Sequence, residues 1–271
     1  MKISNIVSRR NRILLRELVI TDFKLRYQGS MLGYLWSLLK PLLLFGILYI
    51  VFGEILRFGK DIPHYPVYLL TGVVLWNFFT EATRQGMTAI VSRGSLLRKI
   101  NFPKYIVVFS ATISALINLG LNIIVIGIFI VISGAEIQVE ALILFPLVVI
   151  ELYILSLAVA FYLAAANVKY RDVSHIWDVF IQAGFYATPI IYPISMVVER
   201  SEWVAKLMIL NPIAQVIQDS RYLLTTSASQ TLFSVYGTFT VYLIPLMVVA
   251  ALSIIASYYF KKRSKYFTED L

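Results

Sequence analysis

The sequence predicts an all-α fold that crosses a membrane several times, and three observations carry that expectation. Of the 271 residues, 59% are hydrophobic and only 14% are charged, where an average globular chain carries roughly a quarter. Mean hydropathy is +0.79. The apolar residues gather into six runs near the ~20 residues that a spanning helix requires, and no stretch between them is long enough to hold a soluble core. Residues 1–271 therefore read as a single membrane domain: six transmembrane helices, an N-terminal amphipathic interface helix, and re-entrant helices on the outer side.

Residues 1–30 are expected to lie at the membrane surface. Leu14, Leu18 and Leu25 share one helical stripe with Leu15 beside them, while Arg16, Glu17, Lys24 and Gln28 face elsewhere. A basic amphipathic segment of this kind suits an anionic interface. Leu25 to Pro41 is a threshold from water to membrane, built from Gly29, Ser30 and Gly33, the aromatics Tyr34 and Trp36, and Lys40. The spans follow at about 33–56, 66–90, 105–133, 139–166, 176–196 and 239–260. The fifth carries Gly184, Pro189 and Pro193, so its outer end should be kinked or re-entrant, with the freed backbone groups satisfied by protein or water.

Two connections are more than turns. Residues 92–104 read as a short basic helix, capped by Ser95 and followed by Pro103 in the first turn of the next span. Leu96, Leu97, Ile100 and Phe102 would be its docking residues. Residues 197–235 are long for a link within a bundle. Trp203, a helix start at Asn211-Pro212 and the pattern Ile213, Val216, Ile217, Leu223 suggest half-inserted helices. Of the 24 Lys and Arg, only Arg57, Lys60, Arg200, Lys206 and Arg221 fall on the side away from the termini. The other nineteen place both termini in the cytoplasm.

Chemistry that the chain could carry alone is sparse. Cysteine is absent, which removes disulfides and thiolate ligands. Gly53 to Asp61 approaches a phosphate-binding loop but has five residues between its glycines and Asp where Ser or Thr must reach magnesium. If ATP is used, another chain binds it. His64 and His175 fall at opposite membrane faces and cannot share a metal. Glu151 is the deepest ionisable group and stands apart from other acids. Glu81 and Arg84 are placed to pair at i, i+3, and Asn118, Asn122 and Gln182 to join helices. Seventeen Tyr, seventeen Phe and four Trp form the richer signal. Tyr34, Trp36, Phe185, Tyr186 and Tyr192 lie beside Gly and Pro, and their flat faces suit stacking on sugar rings in a channel.

The motifs Tyr27-Gln28-Gly29-Ser30, Leu32-Gly33-Tyr34-Leu35-Trp36 and Lys40-Pro41 are followed by Leu96 to Pro103, Val168 to Val173, Thr188 to Pro193 and Asn211-Pro212. This ordered set resembles the permease subunit of ABC-2 type polysaccharide exporters, a group serving O-antigen, capsule and teichoic acid. The resemblance implies a non-catalytic subunit of the bacterial cytoplasmic membrane that forms a homodimeric pore for a lipid-linked glycan. It implies two copies of a separate ATPase subunit that binds ATP and magnesium, and no cofactor or nucleic acid for this chain. Leu96, Leu97, Arg98, Lys99, Ile100, Asn101, Phe102 and Pro103 match the coupling helix that docks onto the ATPase. Residues 197–235 match the outer gate helices, and Tyr170, Arg171 and Asp172 the inner loop before the fifth span. An ABC-2 exporter of small hydrophobic compounds, a secondary transporter and a membrane enzyme acting on lipid-linked sugars remain alternatives at this point.

Overall fold

The computed structural model describes residues 9–26, 29–60, 62–100 and 102–270; the side chains at positions 23, 25, 26, 34 and 268 lie outside that description. Among the described residues there are helices and turns and no strand. Helix α1 (Arg9–Arg26) leads through a short 3-10 turn, Gly33–Leu35, into α2 (Trp36–Leu48), which continues as a π-helix over Tyr49–Ile55. The long helices are α3 (Tyr65–Ser92), α5 (Tyr105–Ser133), α6 (Ala141–Lys169) and α12 (Leu243–Arg263), with the six-residue α4 (Gly94–Lys99) between α3 and α5. Helix α7 (Val173–Ala187) is followed by α8 (Ile194–Arg200), α9 (Glu202–Ile209), α10 (Pro212–Leu224) and α11 (Leu232–Tyr236). Helix α13 (Phe267–Asp270) closes the described chain.

Among the described residues, four helical segments are long and apolar enough to cross a membrane: Trp36–Ile55, Tyr105–Ser133, Ala141–Lys169 and Phe239–Arg263. The other two expected spans are built differently. Helix α3 has the length, 28 residues, but the half nearest α4 carries a run of polar and charged side chains. Helix α7 has only 15 residues, about 22 Å at the α-helical rise, against a hydrocarbon core of about 30 Å. The expectation of one span reaching to 196 is thus corrected: the helix stops at Ala187, and Thr188 turns extended ahead of Pro189.

Helix α3 is the axis. Nineteen of its residues are buried, and α5, α6, α10, α2 and α7 all pack against it. Small side chains make that approach possible. A Cβ on Gly86 would lie 2.5 Å from the Ala160 Cβ of α6, so the crossing depends on glycine there, in the way that small residues let membrane helices approach closely. Hydroxyls in the packed faces bond back to their own helices, as in Thr83 to the Phe79 carbonyl (2.8 Å) and Ser114 to the Ser110 carbonyl (2.9 Å). Those two oxygens are then not left bare in an apolar contact, whereas the buried Thr71 hydroxyl of α3 has no partner among the described residues.

The end carrying α1, α4 and α13 is bound together by aromatic packing and charge. Leu97, Phe102, Phe260 and Phe267 share one buried cluster, against which Leu14 of α1 packs. Lys104 donates to the Ser264 carbonyl at 2.6 Å and sits 5.5 Å from the centre of the Phe267 ring. Burial lowers the Lys104 ammonium from its ordinary value, and the Glu269 carboxylate opposes that shift. At the opposite end, α10 starts as expected: Asn211 Oδ1 accepts from the Ile213 amide at 3.0 Å, with Pro212 in the first turn.

Candidate functional site

A cleft of about 850 Å³ opens between α1, α2, α3 and α5, in the half nearest α4. Its wall on α3 is a single polar face: Asn77, Thr80, Glu81, Arg84, Gln85, Thr88 and Ser92. Those positions recur every three or four residues, the period of one side of an α-helix. Trp36, Ser37 and Lys40 of α2 face them, and Asp22 and Arg93 are at the edge formed by α1 and the α3–α4 turn. Bilayer-length helices rarely carry such groups unless they line a pathway or pair internally.

Several of the charges are tied down. Arg93 pairs with Asp22 and also donates to the Ser110 hydroxyl at 2.8 Å, so the turn before α4 is held to both α1 and α5. Glu81 accepts from Gln85 at 2.7 Å and from Asn118 at 2.8 Å. The pair expected between Glu81 and Arg84 is not what forms: Arg84 reaches across to Asp178 of α7 at 2.7 Å, because α7 presents a carboxylate on that side. Asn118 and Asn122 do join helices, the latter through the Ser37 carbonyl at 3.4 Å. Gln182 is exposed on α7 and joins no other helix among the described residues.

The channel-lining candidates divide. Trp36 is 42% exposed and lines the cleft, whereas the side chain of Tyr34 lies outside the described residues. On α7, Tyr186 is 63% exposed, while Phe185 packs edge-on to Trp76 and Tyr192 donates to the Tyr186 carbonyl at 2.9 Å. The exposed side of α7, with Ile176, Val179, Phe180 and Tyr186, has no partner within the described residues.

In the segment matched to the coupling helix, Leu97 and Phe102 are buried in the chain's own core and Leu96 is half-buried. Arg98, Lys99 and Ile100 are the exposed members, Pro103 is half-buried, and Asn101 lies outside the described residues. The cap expected of Ser95 is corrected: Arg93 occupies the N-cap, without a side-chain bond, and Ser95 is the second residue of α4. Pro103 precedes α5 rather than entering its first turn, because Lys104 is the N-cap residue. Tyr170, Arg171 and Asp172 are exposed between α6 and α7, with Asp172 at the N-cap of α7.

The end opposite α4 holds groups that sequence reasoning missed. Arg221 of α10 is completely buried. Its guanidinium donates to the main-chain carbonyls of Tyr68 (3.0 Å), Pro189 (2.6 Å) and Ile190 (2.5 Å), and its carbon lies 3.6 Å from the centre of the Tyr68 ring. Gly72 makes room, since a Cβ there would fall 2.5 Å from the guanidinium. The break after α7 therefore finds its hydrogen-bond donors in a side chain of α10. Glu151 is not isolated either. Gln215 donates to Asp219 at 2.7 Å and stands 3.5 Å from Glu151, and Tyr242 donates to Asp219 at 3.1 Å. The signal that could have identified the cleft was the polar period on α3; no comparable signal marks Arg221, whose carbonyl partners are distant in sequence.

Residues 13–225 match the family described as ABC-2 type transporter. The chain is similar to the O-antigen export system permease protein RfbA of Myxococcus xanthus, 31% identical over 266 residues that cover 96% of each chain. It is 30% identical to a protein of the same description from Klebsiella pneumoniae, over 72% of this chain and 74% of that one. The polysialic acid transport protein KpsM of Escherichia coli is 20% identical, over 78% of this chain and 80% of the relative.

Proposed function

Because the chain belongs to the ABC-2 type transporter family, we propose that it is the permease subunit of an ATP-driven exporter that moves a lipid-linked polysaccharide across the cytoplasmic membrane. The observation that carries this reading is the polar cleft. An exporter of small hydrophobic compounds has no use for a wall of amides, hydroxyls and charges, whereas a glycan presents hydroxyls at every residue. The similarity to permeases of O-antigen export over most of both chains supports the same substrate class.

In this reading the subunit pairs with a second copy of itself, and the unpartnered sides of α2 and α7 face the path between them. A separate ATPase subunit, two copies per complex, docks on α4 and holds the nucleotide. ATP-driven closure of that partner displaces α4, and the Asp22–Arg93 pair carries the displacement into α1 and the cleft. Both termini are cytoplasmic, as the distribution of Lys and Arg favours. A polymer of many sugars cannot be enclosed in a cleft of this size, so it is fed stepwise past Trp36 and Lys40.

Reconstitution tests the proposal directly. Vesicles holding this chain with its ATPase partner should export lipid-linked glycan only when ATP is supplied. Export by the chain alone would overturn it.

A further inference from the structure

Helices α6 and α12 run side by side to the end of the molecule that carries α4. They are joined there by Phe161 edge-on to Phe260, with ring centres 4.9 Å apart, and by Tyr162 beside Tyr259 at 5.0 Å. Past Arg263 the chain turns back, so that Phe267 packs edge-on to Phe260 and α13 touches both α6 and α4. Lys169, Lys261, Lys262 and Lys265 are exposed at this end. Among the described residues, none of these four meets a carboxylate within ion-pair distance. The carboxylates of α13 are engaged elsewhere: Asp270 pairs with Arg263 at 3.0 Å, and Glu269 acts on Lys104.

An exposed apolar stripe leads to these lysines on both helices. On α12 Ile254, Ile255 and Tyr258 are exposed, and Lys262 follows Tyr258 one turn on. On α6 Ile150, Ile154 and Tyr162 are exposed, and the helix ends at Lys169. Apolar side chains, then tyrosine, then lysine match the acyl chain, glycerol ester and phosphate of a phospholipid, level by level. Neither helix contributes a residue to the cleft, so the occupant is a resident lipid and not the cargo.

We propose that the shared end of α6 and α12 binds an anionic phospholipid, and that the bound lipid orders the turn from which α13 hangs. The lysines hold its phosphate, and its acyl chains lie along Ile154, Ile254 and Ile255. Lysines next to a spanning helix attract anionic headgroups in a way that a zwitterionic lipid does not match. Helix α13 is four residues long and cannot sustain itself. Its turn rests on few main-chain bonds, among them the Ser264 amide to the Phe260 carbonyl (2.8 Å) and the Tyr266 amide to the Arg263 carbonyl (3.0 Å). A phosphate among the lysines removes their mutual repulsion and ties the turn to the bilayer. Through Phe267 that support reaches Leu97 of α4. Within the permease reading, coupling to the ATPase then depends on the charge of the surrounding headgroups.

Hydrogen exchange reads the turn directly. The purified chain is placed in two nanodiscs of equal acyl length, one of phosphatidylcholine and one containing phosphatidylglycerol as well. Amides 264–270 should exchange about tenfold more slowly in the second. Lys261→Gln with Lys262→Gln and Lys265→Gln should abolish that difference, and Lys→Arg at the same three positions should keep it. Soluble glycerol phosphate, added to the phosphatidylcholine disc, should leave exchange unchanged. Slowing by glycerol phosphate would reveal an anion site that needs no lipid, and would overturn the proposal. Equal exchange in both discs would overturn it too, including the full protection in phosphatidylcholine that a second copy covering this face would give. So would a phosphatidylglycerol effect that survives the three Gln substitutions. If the Gln variant does not insert, the two discs and the glycerol phosphate arm decide with the unmodified chain. Neither ATPase nor glycan is present, so failure here leaves the permease reading in place.

Discussion

A buried guanidinium ordinarily sits against a carboxylate, but Arg221 is satisfied by carbonyls that α3 and the end of α7 offer. Removing it takes the donor from the Pro189 and Ile190 carbonyls, and each buried acceptor left unsatisfied costs about 1–3 kcal/mol. Arg221→Ala should therefore lower the thermal unfolding midpoint of the purified protein markedly, and Arg221→Lys should fall between. Lysine keeps the charge but has no planar fork with which to span three carbonyls. A midpoint unchanged in both variants would mean that the clip contributes nothing. At the other end, Trp36 stands at the cleft with its ring accessible. Replacing Tyr34 and Trp36 together by Ala should reduce export while co-purification with the ATPase is retained. Loss of co-purification would instead make both residues part of the framework.

Elements meet in this protein through a few contacts that tolerate little change. Gly86 is where α3 crosses α6, and a methyl group there must push against Ala160. Gly86→Ala should cost about 1–3 kcal/mol, the usual penalty of overpacking, and Gly86→Leu should abolish insertion of a folded chain, as judged by protease resistance in membranes. Helix α4 is held by the cluster in which Leu97 meets Phe267, itself steadied by Lys104, rather than by its own length, since six residues cannot sustain a helix alone. Phe267→Ala should loosen α4 and raise the ATP consumed per glycan exported, and Phe267→Leu should restore most of the coupling. A ratio of hydrolysis to export equal to that of the unmodified complex in Phe267→Ala would show that α4 needs no such support.

At the scale of the whole molecule, what could be read in advance depended on whether a signal was periodic or local. Runs of apolar residues marked the long helices, and the third span was expected within the bounds it occupies, 105–133. Asn211-Pro212 marked a helix start because the cap and the proline act within one turn. The pairing of Arg84 with Asp178, the clip at Arg221 and the link from Glu151 to Asp219 stayed hidden because each joins helices far apart in sequence. The polar side of α3 was legible but masked by its overall apolar character, and Glu81 and Arg84 were matched to each other when neighbouring helices supplied the partners. One feature bears on the surrounding lipid. Helix α7, about 22 Å long, falls short of the hydrocarbon it adjoins by roughly 8 Å. The buried stretch Thr188 to Ile191 takes up part of that depth as protein, and lipid facing the exposed side of α7 thins to meet the remainder. The exporter should accordingly work faster in vesicles of short-chain lipids than in thick, sterol-rich ones, so that acyl-chain length becomes a means of adjusting its rate without touching a residue.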